Sequence, residues 1–259
     1  MATPNKPIVL YDNKLSTYGF VTVTSELSGY PKENTYDWRY FTKWQSTSSA
    51  TQDFIIDLGA ATICDSFAVM NHNLGTRGAT LAVGTDTASA FPSVPTIGPT
   101  TFTDDNPKYI SLPSSSERYY RIRISGGTGA YACGMFFLGN KYTMPVLPQD
   151  GFDPDEQQAF FKVNTAITGH AVGSSVTHTD RMQKLSMRYV SEAQAQTFKD
   201  FYEDHASLGK PFFYLPDITN YSTRIYLMRC PNNYALSMPS EGVYRHLNLE
   251  CQGIRDVKW

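Results

Sequence analysis

The sequence predicts a mainly β protein, with an antiparallel β-sandwich or jelly roll followed by a smaller α+β domain that has one main helix. Three observations predict this fold class. Short strand-like segments recur from the start to about residue 140. Clusters of Gly, Pro, Asn, Asp and Ser separate these segments, as turns do. Only one later segment combines helical periodicity with start and stop signals.

The predicted strands of the first domain follow one another with no clear helix between them. They are IVLY, GFVTVTSEL, DFIIDLG, CDSFAVMNHNL, ATLAVG, KYISLP, RYYRIRIS and CGMFFLG. Many short strands with regular turns are typical of a sandwich or jelly roll. In RYYRIRIS, alternation places Tyr120, Ile122 and Ile124 on one face, with Arg121 and Arg123 on the other. We therefore expect a half-buried strand at this position.

A proline-rich segment over residues 144–156 predicts the domain boundary. Its sequence, MPVLPQDGFDPDE, separates the all-strand pattern from one that mixes strands with a helix. Proline-rich polar segments commonly join domains. We therefore expect a jelly-roll domain over residues 1–143 and an α+β domain over residues 157–259.

The second domain contains one clear helix signal. Ser191 and Gln194 form a predicted capping box, in which each side chain binds the other residue's free backbone N–H group. Apolar residues then recur at helical spacing, and a glycine and a proline end the helix: Ala195, Phe198, Phe201, Tyr202, Leu208, Gly209 and Pro211. The predicted strands around the helix are QKLSMRY, FFYL, RIYLMRC and YRHLNLECQG. This pattern favours an α+β domain.

Composition and charge exclude several classes of function. The formal net charge is −2 and no long Lys/Arg cluster is present, so binding to nucleic acid by phosphate neutralisation is not expected. No apolar run reaches the ~20 residues of a membrane span. The N-terminal MATPNKPIVLYDN has no signal-peptide pattern. Four scattered cysteines in apolar patterns favour buried free thiols over disulfides, and hence folding in a reducing cytoplasm.

Motifs for catalysis and metal binding are missing from the sequence. The five histidines lack metal-ligand spacing, and no GxSxG, Walker or paired-carboxylate pattern is present. GTGAYA, at residues 127–132, fits the dinucleotide-loop pattern only formally, because a strand rather than a helix follows it. We therefore expect no enzymatic activity and no cofactor.

Three motifs of the first domain occur in the order of a known family. Asp37, Thr42 and Trp44 come first, FIIDLG follows at residues 54–59, and RYYRIRIS follows at residues 118–125. Together they resemble the discoidin-like (coagulation factor 5/8 C-type) domains of the galactose-binding fold. The resemblance implies that Trp44 packs under the sheet. Such domains sometimes hold a structural calcium ion, for which the oxygen ligands here would be Asp37, Asp104 and Asp105.

The aromatic residues beside this motif are candidate contacts for a ligand. If the turn is extended, Tyr36, Trp38 and Tyr40 point the same way and form a platform. The alternative is a loop held together by its own aromatic residues. With Arg77, these residues are the candidate contacts for a glycan or a protein partner.

The remaining segments resemble modules in the tail proteins of bacteriophages. MNHNLGTRGATLAVG and CGMFFLGNKYTMP carry the resemblance in the first domain, and LSMRYVSEAQAQTFKDFYEDHASLGKPFFYLPD carries it in the second. It implies a structural virion component of the tail tip or baseplate, made in the host cytoplasm. The C-terminal domain would form a homo-oligomeric ring at the tail-tube end with other tail proteins, and the jelly roll would project outward. Residue types that dominate interfaces give the candidate assembly contacts: Tyr221, Arg224, Tyr226, Tyr234, Tyr244 and Arg245.

Two other functions stay open on the sequence alone. The first is a carbohydrate-binding module that recognises host-surface glycans through loops at one end of the sandwich. The second is an enzyme acting on glycans, which the missing carboxylate pairs disfavour.

Overall fold

The computed structural model describes residues 5–91, 97–147, 157–231, 235–237 and 244–254. Residues 148–156 of the predicted linker, and Tyr234 of the predicted assembly contacts, lie outside the described residues.

The chain divides into two compact units. The sandwich unit comprises Leu10–Tyr142 and Tyr221–Ile225, and the C-terminal unit comprises Met1–Val9, Thr143–Asn220 and Tyr226–Trp259. The start of the chain is therefore grouped with the C-terminal unit, whereas the sequence analysis placed it in the first domain. A strand of three residues carries no signal that identifies its pairing partner.

Antiparallel strands dominate both units. In chain order the strands are β1 (Ile8–Leu10), β2 (Thr22–Val23), β3 (Trp44–Gln45), β4 (Gln52–Ile63), β5 (Ser66–His72), β6 (Thr80–Asp86), β7 (Ile97–Thr101), β8 (Lys108–Ser111), β9 (Ser116–Ser125), β10 (Ala132–Gly139), β11 (Tyr142–Thr143), β12 (Gln157–Thr165), β13 (Ala171–Val190), β14 (Phe212–Leu215), β15 (Tyr226–Arg229), β16 (Ala235–Ser237) and β17 (Arg245–Gly253). The helices are α1 (Lys14–Tyr18), α2 (Leu74–Arg77) and α3 (Glu192–Asp204), with 3-10 turns at Lys32–Thr35 and Ala206–Leu208. The predicted mainly β fold class with one main helix is confirmed.

The sandwich unit is built from two sheets that share one core. Their strand orders are β3–β10–β5–β8 and β2–β4–β9–β6–β7 among the described residues. Trp44 has no exposed surface, and its ring centroid lies 4.6 Å from that of Phe54 in the facing sheet. Phe54 in turn lies 5.3 Å from Phe136. The predicted packing of Trp44 under the sheet is therefore confirmed.

β9 shows the alternation predicted for RYYRIRIS. Its three predicted inward residues are fully buried in the core. On the opposite face, Arg123 forms two hydrogen bonds of 2.7 Å with the Asp53 carboxylate. Arg121 differs from the expectation of an exposed face, because it is only 9% exposed and its guanidinium lies 4.8 Å from the Phe91 ring. The polar face of this strand is therefore partly covered.

The C-terminal unit is organised around one large sheet. Its strand order is β11–β1–β14–β15–β17–β13–β12, with β16 also paired to β17. β12 and β13 form a long antiparallel hairpin with register shifts near Phe160 and Asn164. Within the described residues β12 lies at one edge of this sheet and β11 at the other.

α3 packs its apolar face inward and begins as predicted. The Ser191 hydroxyl accepts from the Gln194 backbone N–H, and the Gln194 side chain accepts from the Ser191 backbone N–H, so the capping box is confirmed. The inclusion of Leu208 in the helix was wrong, because α3 ends at Asp204 and Leu208 is 61% exposed in the following 3-10 turn. Among the described residues, no helix has the length and apolar character needed to cross a bilayer.

Candidate functional site

Four loops of the sandwich unit meet at one end of the two sheets. They are residues 46–51, 73–79, 102–107 and 126–131, and each connects two consecutive strands. We call them the loop cluster. Direct hydrogen bonds link neighbouring loops, so the cluster has a fixed arrangement before any ligand binds.

Two polar side chains hold the loop at 126–131 to its neighbours. The Tyr131 hydroxyl donates to the Ser49 carbonyl at 2.8 Å, and burial raises the pKa of Tyr131. Asn73 donates to the Ala130 carbonyl at 3.2 Å and accepts from the Ala132 N–H at 2.8 Å. These contacts join three of the four loops.

His72 connects the fourth loop to the cluster. It is 6% exposed, and its Nε2–H donates to the Asn106 carbonyl at 2.9 Å. Its Nδ1 accepts from the Leu74 N–H at 3.3 Å, so the neutral ring uses both nitrogens. Burial lowers the pKa of His72, which favours this neutral form. His72 is therefore a structural histidine and not a metal ligand.

The turn formed by α2 fits closely against the loop at 102–107. A Cβ atom at Gly75 would lie 2.1 Å from the backbone of Asp104, so only glycine permits this approach. The Asp105 carboxylate accepts from the Thr76 N–H at 2.9 Å and from the Thr76 hydroxyl. Burial alone would raise the pKa of Asp105, but the hydrogen bonds from Thr76 outweigh it and the pKa is lowered. Asp105 therefore offers an ionised carboxylate at the exposed side of the cluster.

Arg77 lies against the glycine-rich loop at 126–131. Its carbonyl accepts from the Thr128 N–H at 2.9 Å. Gly129 has a φ of +79°, and a Cβ there would lie 2.7 Å from Nη1 of Arg77, so the guanidinium rests directly on the glycine backbone. The Nε atom is buried, yet no acceptor for it exists among the described residues. The guanidinium of Arg77 is thus held in place by the glycine-rich loop, with a buried Nε that has no acceptor among the described residues.

The segment before β3 lies beside the loop cluster. Asn71, at the end of β5, donates to the Tyr40 carbonyl at 2.6 Å. The next residue, Phe41, is 76% exposed, which makes it a candidate contact that the sequence analysis did not select. No local pattern predicts that Phe41 is exposed, because Phe41 and the buried Trp44 occur in the same run of aromatic residues.

The turn that carries the predicted aromatic platform is not extended. The Asp37 carboxylate accepts from the Arg39 N–H and from the Thr42 hydroxyl, which closes the turn on itself. Trp38 has a φ of +60°, in the left-handed region. The condition for Tyr36, Trp38 and Tyr40 to share one face is therefore not met.

Tyr36 and Trp38 instead pack near α1. The Tyr36 ring lies 5.8 Å from that of Phe20 in an edge contact, and burial raises the pKa of Tyr36. The Trp38 Nε1–H donates to the Ser16 hydroxyl at 3.0 Å. Both residues have contacts that hold this loop in place, which is the alternative stated for them above.

The acids considered as calcium ligands are engaged locally. Asp104 accepts from the Asn106 N–H at 3.0 Å, and Asp37 and Asp105 have the partners described above. Within the part of the chain that the structure describes, no group of three or more His, Cys, Asp or Glu residues could hold a metal ion.

Two of the predicted assembly residues have partners inside the C-terminal unit. Tyr226 is 9% exposed, and the Arg181 guanidinium lies 4.6 Å from its ring centroid. Arg245 forms hydrogen bonds of 2.6 and 3.0 Å with the Glu192 carboxylate. Tyr226 is therefore packed rather than available for an interface.

The other predicted assembly residues fall in different units. Tyr221, 49% exposed, has the Arg224 guanidinium 4.1 Å from its ring, and both belong to the sandwich unit. Tyr244, 46% exposed, lies 6.1 Å from Tyr189 in the C-terminal unit. Tyr234 lies outside the described residues. The described assembly candidates are thus divided between the two units, whereas the sequence analysis placed all of them in the C-terminal domain.

No protein-family model matches the sequence, and no curated protein matches it significantly. Solved structures do resemble the sandwich. The family 32 carbohydrate-binding module of AlyQ, in complex with 4,5-unsaturated mannuronic acid, is 20% identical with a TM-score of 0.39, over 47% of this chain and 95% of that one. Chitosan-binding module 1 from a chitosanase/glucanase of Paenibacillus sp. IK-5 is 18% identical with a TM-score of 0.41, over 49% and 98%.

A third neighbour is the family 32 module of NanJ from C. perfringens, in complex with galactose. It is 16% identical with a TM-score of 0.41, over 52% of this chain and 99% of that one. Each match covers about half of this chain and nearly all of the module. All three are carbohydrate-binding modules, and none is described as a phage protein. Similarity at this level does not identify the ligand or the function of this chain.

Proposed function

We propose that the sandwich unit binds a glycan at the loop cluster and that the protein is a non-catalytic binding protein. One observation carries the proposal: the partly buried Arg77 guanidinium rests on Gly129 within the loop cluster, and the exposed carboxylate of Asp105 is bound there by Thr76, the residue before Arg77. A sugar ring presents neighbouring hydroxyl groups that donate and accept hydrogen bonds. A charged donor and a charged acceptor in the same loop cluster suit such groups.

The surroundings of Arg77 favour a sugar over a highly charged polymer as the ligand. The loop cluster contains both the positive charge of Arg77 and the negative charge of Asp105, so it does not carry charge of one sign only. The exposed ring of Phe41 offers an apolar surface for the C–H face of a sugar. Because the loops are already bound to one another, little ordering is required when a ligand binds.

Replacing Arg77 with Ala in the full chain should weaken glycan binding by roughly 10- to 100-fold, since a hydrogen bond to a charged group contributes about 1.5–3 kcal/mol. A glycan array identifies the ligand of the unmodified protein, and calorimetry measures its affinity for each variant. Arg118→Ala is the matched control, because Arg118 is exposed and pairs with Asp57 on the outer face, away from the loop cluster.

Asp105→Asn should also weaken glycan binding. The melting temperatures of Arg77→Ala and Asp105→Asn should stay within a few degrees of that of the unmodified protein. Absence of binding to every glycan on the array would refute the proposal. Equal losses in Arg77→Ala and Arg118→Ala would place the site elsewhere.

A second proposal concerns the C-terminal unit, for which we infer assembly through copies of itself. The observation is the outer part of the β12–β13 hairpin, residues 162–176, in which no side chain is buried. By the pairing register, Val163 and Val176 share one face of this hairpin and are 44% and 65% exposed. A two-stranded hairpin with an uncovered apolar face is only marginally stable by itself.

The edge position of β12 supports the same proposal. Natural proteins cover long edge strands or protect them with charges, whereas residues 162–176 contain one lysine and no carboxylate. A near-neutral apolar face fits a second copy of the same face better than a highly charged partner. We propose that this assembly is a ring in a virion tail tip or baseplate, as the sequence resemblance implies.

Val163→Asp combined with Val176→Asp should convert a multimer into a monomer, because each carboxylate would be buried unpaired at the interface. We expect association weaker by about 100-fold or more, measured by mass photometry of the full chain. Val21→Asp is the control, since Val21 is 59% exposed in the sandwich unit. A monomeric unmodified protein, or dissociation by Val21→Asp, would contradict the proposal.

A further inference from the structure

Two of the four buried cysteines are neighbours in the sheet of the C-terminal unit. Met228 pairs with Gly253, and Arg229 pairs with Gln252, in the antiparallel ladder of β15 and β17. Continuing this register by one step places Cys230 opposite Cys251. Their Sγ atoms are 3.7 Å apart, and the residues are 7% and 0% exposed.

This geometry is close to that of a cross-strand disulfide. Directly opposite residues of an antiparallel pair have Cα atoms about 4.5–5.5 Å apart, within the range that a disulfide spans. The sulfur atoms need to approach by only about 1.7 Å to reach bonding distance. We propose that Cys230 and Cys251 are a reversible redox site, which a small-molecule disulfide such as glutathione disulfide converts to an intramolecular disulfide.

The exchange balances in two steps. The thiolate of Cys230 attacks one sulfur of glutathione disulfide, forming a mixed disulfide and releasing one glutathione thiolate. The thiol of Cys251 then loses its proton and attacks the Cys230 sulfur, releasing the second glutathione. The two cysteines are oxidised by two electrons, and one glutathione disulfide is reduced to two glutathione molecules.

The location of Cys230 gives the reagent a route to the pair. Cys230 immediately follows the four-residue strand β15, and its neighbours Arg229 and Pro231 are both exposed. Opening the end of a short strand costs much less than global unfolding. Cys251 has no exposed surface, and its hydrogen bond with Cys230 and its burial raise its pKa, so the first attack falls to the more accessible Cys230. We therefore expect slow but specific oxidation.

The bond would change the stability of this unit. It would close the chain between β15 and β17, a segment that includes β16, which pairs with β17. Cross-linking a loop of this length restricts the unfolded chain, and we expect the melting temperature to rise by about 5–10 °C. The site therefore links the stability of the C-terminal unit to the redox state of its surroundings.

The test treats the full chain with glutathione disulfide at a pH of about 8.5, where an ordinary thiol is half ionised, a few degrees below its melting temperature. Alkylation followed by intact mass and peptide mapping should show one disulfide, between Cys230 and Cys251, that dithiothreitol reverses. Cys251→Ser should stop at a stable mixed disulfide on Cys230. The control variants Cys64→Ser and Cys133→Ser should still form the disulfide between Cys230 and Cys251.

Any of three results would overturn the proposal. The first is that all four cysteines of the treated protein are still alkylated after unfolding, so that no disulfide has formed. The others are a disulfide that involves Cys64 or Cys133, and a disulfide between two chains. Oxidation that leaves the melting temperature unchanged would remove the inferred link to stability.

Discussion

Replacing Trp44 with Ala should destabilise the sandwich unit by about 3–5 kcal/mol, a large fraction of the stability of an ordinary domain. Trp44 has no exposed surface and packs edge-on against Phe54 at 4.6 Å. Its indole N–H also donates to the Ser25 carbonyl at 3.1 Å, and the variant would leave that carbonyl without this partner. We expect the melting temperature of this unit to fall by roughly 10 °C or more.

Thermal unfolding, monitored by near-UV circular dichroism, measures the loss of stability. Faster hydrogen exchange in β4 and β9 would show that the loss occurs in the sandwich unit. Phe41→Ala is the matched control from the same aromatic run, because Phe41 is 76% exposed. Substitutions at exposed positions usually change stability by less than about 0.5 kcal/mol. Equal destabilisation by the two substitutions would show that the aromatic run is misassigned.

Replacing Phe201 with Ala should have a comparable effect on the C-terminal unit. Phe201 is fully buried on the inner face of α3, with ring centroids 5.8 Å from Phe198 and 5.4 Å from Phe212. Removing a buried aromatic ring leaves a cavity and costs about 3–5 kcal/mol. We therefore expect faster hydrogen exchange in α3 and β14 and earlier thermal unfolding of this unit.

Leu208→Ala is the control for this prediction. Leu208 is 61% exposed, so its loss should change the melting temperature by no more than about 2 °C. If Leu208→Ala destabilises as much as Phe201→Ala, then Leu208 is a core residue and α3 continues beyond Asp204.

Local patterns were sufficient to predict the fold class and several of its elements. Alternation in β9 predicted the buried face of that strand, because a strand places every second side chain on the same side. The capping box at Ser191 was equally predictable, because both of its partners lie within one helical turn. Leu208 fitted the same helical spacing and was still misplaced, since periodicity does not show where a helix ends.

The candidate site was predictable only in part. Arg77 was selected from the sequence, but its contact with Gly129 and the contact of its neighbour Thr76 with Asp105 join loops that are far apart along the chain. The expected platform of Tyr36, Trp38 and Tyr40 depended on an extended turn. The hydrogen bonds of Asp37 close that turn instead, and no alternation rule applies to a closed turn.

By itself, the sequence determined the mainly β class and the start of α3, because each follows from spacing within a few residues. The burial of Trp44 was implied by the family resemblance. The tertiary structure alone decided that the chain start joins the C-terminal sheet, that four loops of the sandwich meet at one end of it, and that Cys230 faces Cys251. Each of these depends on pairing between distant segments. Such pairing is set by the packing of a whole core, and no short stretch of sequence encodes it.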